Sequence, residues 1–171
     1  MSRDAAPYSS PTVKHQFPNV VLLAEVERLL AEGREVVLVP KGRSMLPFIR
    51  GEADKVLLRK PSVGELRVGD IVLARSMAGI YIMHRIIAIH DEKVILMGDG
   101  NLQGTEEVER KGVVGKVAEI ITPTGYRRKP SRAWFWRKLL PIRKYLLKIY
   151  RKWNKIKASS SCPPFKGGRG D

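Results

Sequence analysis

Cysteine is almost missing: Cys162 is the only one among 171 residues, so no internal disulfide can form and the redox compartment stays open. Long apolar runs are missing too. No stretch approaches the roughly 18–20 residues that a membrane-spanning helix needs. The best, residues 17–31, is interrupted by Glu25, Glu27 and Arg28, and no secretory signal is expected ahead of it. Histidine is scarce, with only His15, His84 and His90. Together with one distant cysteine these form no zinc pattern, so we expect no metal and no cofactor. Acid is almost missing from the chain beyond residue 119. Beyond residue 119 the sole acid is Asp171, against 15 Lys and Arg, whereas residues 1–119 hold 17 basic and 16 acidic groups. The net charge of +15 therefore belongs to the tail, and so does any argument about a polyanionic partner.

What is present is 43% hydrophobic, enough for one folded domain with appendages. Residues 1–16 read as a flexible arm containing Pro7 and Pro11. Residues 17–33 predict an N-terminal helix that Pro18 opens and Gly33 stops, with Val20, Leu23, Val26 (or Glu27) and Leu30 on its apolar side. From 34 to 125 the texture changes to short β-branched runs: 36–39, 55–59, 70–75, 80–89, 93–97 and 113–121. Gly, Pro, Asp and Ser separate them, which predicts a mainly β, compact antiparallel domain. A hairpin signal stands at Met77-Ala78-Gly79 and a weaker one at His90-Asp91-Glu92-Lys93. Residues 126–157 form a basic amphipathic segment, and 158–171 a low-complexity tail expected to be disordered.

The most informative stretch is Lys41-Gly42-Arg43-Ser44-Met45-Leu46-Pro47, which places a serine in a turn after an apolar strand. Glycine allows close backbone approach there, and the turn's N–H groups suit an oxyanion. Serine is also an ordinary turn residue, so the turn alone does not establish chemistry.

Four segments taken together resemble the signal-peptidase/LexA superfamily of serine endopeptidases, and they cover about residues 36–121. Gly42-x-Ser44-Met45-x-Pro47 is similar to the family's nucleophile box. Gly69-Asp70-Ile71-Val72 is similar to its core strand, and Tyr81-Ile82-Met83-His84-Arg85 to the box of the general base. Met97-Gly98-Asp99-Gly100-Asn101 is similar to the Gly-Asp-Asn box. Bacterial signal peptidases have Lys at the position of His84; the archaeal and endoplasmic-reticulum type has His, and this chain resembles the latter. The resemblance implies a signal-peptidase/LexA-like fold and cleavage of a leader or signal-like segment of a protein substrate. Ser44 would be the nucleophile, His84 the general base and Asp99 its assistant. Imidazole, ordinarily titrating near pH 6.5, suits that task at neutral pH. A second acid follows the Gly-Asp box in the Ser–His subtype, and Glu106 or Glu107 stands in its place. On the residues alone His84 also reads as a strand-face histidine and Asp99 as a turn former. His90 shares the face of His84 if the strand is regular. A Ser–Lys pair using Lys41 or Lys93 is the alternative base assignment.

Two features depart from the family: the segment before the Ser box, with Glu25, Glu27 and Arg28, is not expected to span a membrane as the family's anchor does, and Gly100 replaces the usual Asn. Two other functions compete. One is a LexA-like self-cleaving regulator with a basic nucleic-acid-binding tail. It needs an Ala-Gly or Cys-Gly bond before the Ser box, where none occurs, and no helix-turn-helix fits the first 35 residues. The other is a catalytically inactive binding module. In the tail, Leu139, Ile142, Leu146, Ile149, Trp153 and Ile156 form a helical stripe among basic residues, with Trp134, Trp136, Tyr145 and Tyr150 nearby. It predicts peripheral association of residues 134–157 with an anionic membrane surface. Docking on the β domain and nucleic-acid binding are the competing readings.

Overall fold

The computed structural model describes residues 19–62, 64–133, 136 and 138–160. The expected arm with His15, the helix start at Phe17-Pro18, Trp134, Arg137 and Cys162 lie outside the described residues. In chain order the elements are α1 (Asn19–Ala31), β1 (Val36–Leu38), β2 (Lys55–Arg59), β3 (Ile71–Arg75), β4 (Tyr81–His90), β5 (Lys93–Met97) and β6 (Glu106–Glu109). A 3₁₀ turn (Arg110–Gly112), β7 (Val113–Ile121), β8 (Arg127–Arg128) and α2 (Leu140–Ser160) follow. The fold is mainly antiparallel β: one sheet in the order β1-β2-β7-β3-β4-β5-β6, with β8 on β7 and every pairing antiparallel. No helix among the described residues is long and apolar enough to cross a membrane.

Alternation along β3 fixes where the cores sit. Ile71 and Leu73 enter one apolar cluster while Val72 and Ala74 enter another, so this central strand is buried on both faces. The first cluster joins Met45 and Ile49 of the Ser turn to Val56 and Leu58 of β2, under Val26 and Leu30 of α1. Leu30 is fully buried, which stabilises by about 1.5–3 kcal/mol. Of the two residues competing for the apolar side of α1, Val26 is the buried one. Glu27 instead accepts a 2.5 Å hydrogen bond from the Tyr81 hydroxyl and ties the helix to β4. Gly33, at φ 79°, ends the helix as expected, its N–H reaching Leu30 O at 3.0 Å.

Both hairpins form. Gly79 takes a left-handed conformation between β3 and β4, and Asp91-Glu92 turns β4 into β5. The register of β4 against β5 slips between Ile86 and Ala88. Residues 82 and 86 before the slip, and 89 after it, join the second cluster. A bulge therefore reverses the strand's alternation, and exposed His90 falls on the face opposite to His84. The shared face expected for the two histidines does not survive it.

Candidate active site

Ser44 sits in a turn folded back on itself. Gly42 is left-handed (φ 83°), Glu52 N–H donates to Pro40 O at 2.8 Å, and Gly51 lies so close to Gly42 that any side chain would overlap its carbonyl. Buried Met45 and Ile49 anchor this turn in the first core, leaving Ser44 half-buried at its mouth. Among the described residues no group accepts a hydrogen bond from the N–H of Ser44 or Met45.

The Ser turn rests on the segment after β5. A Cβ at Gly98 would stand 2.6 Å from Ser44 O, and one at Gly100 would stand 2.5 Å from Arg43 O. Gly100 N–H donates to Ser44 O at 2.6 Å. Only glycine permits this approach at position 100.

Asp99 does not reach His84. Its carboxylate is buried and accepts two hydrogen bonds from Arg85, from Nε at 2.8 Å and Nη2 at 2.7 Å. Arg85 Nη1 also donates to Gly69 O at 2.6 Å and Ser131 O at 2.7 Å, and the guanidinium lies 5.2 Å from the Phe48 ring. His84 and Arg85 are consecutive in β4 and point to opposite faces. Asp99 serves the arginine's side.

The carboxylate beside the imidazole is Glu106, whose Oε2 lies 2.8 Å from Nδ1 of His84; the histidine is only 7% exposed. Glu106 pairs with Leu96 across the β5–β6 ladder, while Glu107 binds Lys93 at 2.6 Å. The register that opposes Arg85 to Met97 sets His84 abreast of Gly98, on which the Ser44 carbonyl rests. The carbonyl of Ser44 thus meets the segment that follows β5, and no hydrogen bond joins Ser44 Oγ to any described residue. The Ser–Lys alternative loses one candidate here. The Glu107 carboxylate holds Lys93 above its ordinary pKa, the reverse of what a neutral amine base requires, and Lys41 is exposed.

One wall of the site comes from a segment whose role the sequence did not reveal. Trp136 Nε1 donates to Asp99 O at 2.9 Å and packs edge-on against Phe48, with ring centroids 5.7 Å apart. Arg143 of α2 donates to Asn101 O at 3.0 Å and lies 5.2 Å over the Trp136 ring; burial lowers its pKa. Leu46, Ala133, Trp136 and Leu147 form a third apolar cluster. Nothing in a tryptophan's spacing announces such contacts, whereas Arg85, next to a strand histidine and opposite a buried Asp, was a partner that alternation could have found. Among the described residues no group of three or more His, Cys, Asp or Glu is placed to hold a metal ion. No family model matches the chain, and no curated protein matches it either.

Proposed function

We propose that the chain is a serine endopeptidase of signal-peptidase type, with a signal-peptidase/LexA-like fold, acting on a leader or signal-like segment of a protein. The observation that carries this reading is the pairing of buried His84 with half-exposed Glu106, together with a serine turn that packs closely on two side-chain-free residues, Gly98 and Gly100. Ser44 Oγ attacks the scissile carbonyl while His84 Nε2 takes its proton, and the imidazolium delivers that proton to the leaving amine. Glu106 accepts from Nδ1–H, fixing the tautomer that leaves Nε2 free and stabilising the cation that forms. The N–H groups of Ser44 and Met45 receive the oxyanion; a water then hydrolyses the acyl-serine with His84 as base. The missing Ser44–His84 hydrogen bond is compatible with this chemistry, since such bonds tighten when substrate enters. Asp99 and Arg85 act as a structural brace. An extended substrate adds along β1, an edge strand leading into Ser44, with Val37 and Val39 exposed beside it.

A peptidyl boronate or aldehyde should label Ser44, as mapped by mass spectrometry. His84→Ala should reduce labelling and cleavage by about three to four orders of magnitude. Undiminished labelling in folded His84→Ala protein would remove the histidine from the mechanism.

A further inference from the structure

Helix α2 carries three faces, and the structure separates what the sequence presents as one stripe. The face centred on Arg143, Leu146, Leu147 and Tyr150 packs against the Ser turn and the Asp99 loop. A second comprises Ile142, Tyr145, Ile149 and Trp153, which remain 48%, 64%, 63% and 61% exposed. Spaced by three, four and four residues, they form one continuous apolar strip. A third face, Lys144, Lys148 and Lys152, is exposed along the flank of that strip farther from the docked side. No acid occurs in the helix or anywhere between Glu119 and Asp171.

We infer that the exposed apolar strip and the lysine row together form a docking face for an anionic lipid bilayer. Four large apolar side chains, each about half exposed or more, on a helix that carries lysines along one flank and no acid, match the chemistry of a bilayer's headgroup boundary. The strip enters the acyl region while lysine stems reach back to phosphates. Nucleic acid fits less well. A phosphate backbone engages the lysines but leaves the strip in water, and aliphatic Ile142 and Ile149 have no base-stacking role. Because the neighbouring face of α2 bonds the Asp99 loop, a bilayer against the strip holds Ser44 at the membrane boundary in a fixed orientation. The surface is inferred independently of the peptidase chemistry.

Full-length protein should sediment with phosphatidylcholine vesicles containing phosphatidylglycerol, and not with phosphatidylcholine alone. The variant Ile142→Gln/Tyr145→Gln/Ile149→Gln should bind at least about a hundredfold more weakly. Lys144→Gln/Lys148→Gln/Lys152→Gln should lose about as much. Both should keep the parent melting temperature. Failure of the folded parent to sediment with anionic vesicles at low salt overturns the inference. So does full binding by the apolar variant, or a steep loss of melting temperature in it, which would make the strip part of the core. Binding of duplex DNA that survives the apolar change and disappears with the lysines, without vesicle binding, overturns it in favour of nucleic acid.

Discussion

Two carboxylates near β4 carry different loads, and single substitutions separate them. Glu106 touches only the histidine among its hydrogen-bond partners, so Glu106→Gln should cost about two to four orders of magnitude in cleavage while the melting temperature holds. Asp99 neutralises a fully buried Arg85, so Asp99→Asn should destabilise by about 3–5 kcal/mol, read by chemical denaturation. The opposite pattern would return the assisting role to Asp99. Gly100 offers a sharper test. Gly100→Asn adds a Cβ that would meet Arg43 O at 2.5 Å and displace the Ser turn. Cleavage should fall about a hundredfold, and a more active variant would refute the close-approach argument. The turn holding Ser44 and the strand carrying His84 were legible from turn residues and alternation. The Glu106 assignment was not. Choosing between Glu106 and Glu107 needed the β5–β6 register, a tertiary fact that periodicity does not supply.

Among the elements, the six apolar β-branched runs all became strands, since alternation and flanking turn residues agree there. The Glu106–Glu109 strand escaped notice because its only apolar residue is Val108, and three acids read as loop. It forms because β5 offers a free edge and Glu106 and Glu107 each find a basic partner. The bulge in β4 left no sequence signal either. Between β2 and β7, Glu65 accepts from Arg59, from Ser62 N–H at 2.9 Å and from Lys116 at 3.2 Å. Led by the Arg59 guanidinium, these partners lower its pKa from 4.5 to about 2. A depressed folded pKa means stabilisation that is complete above pH 4.5 and lost as the pH falls toward about 2. Urea denaturation should find Glu65→Gln less stable than the parent at neutral pH, with the gap closing across that acidic window. A gap independent of pH would show that the carboxylate's charge contributes nothing.

At the scale of the whole molecule, a nearly charge-balanced β body carries a strongly basic tail that is also one of its structural walls. The sequence set membrane association and docking against each other as rival fates for the tail, because one apolar stripe was counted once. In the structure the helix has apolar residues enough for the docked face and the exposed strip. Deleting residues 134–171 removes Trp136 and Leu147 from the third cluster and exposes Leu46, so the melting temperature should drop by at least about 5 °C. Unchanged stability would make the docked face dispensable. The central claim is that Ser44 cleaves peptide bonds, and the most direct measurement is digestion of a proteome-derived peptide library, read by mass spectrometry, with parent and Ser44→Ala proteins purified alike. The account predicts new termini at a consistent sequence context with the parent and none with Ser44→Ala; equal cleavage by both proteins, or none by the folded parent, would contradict it.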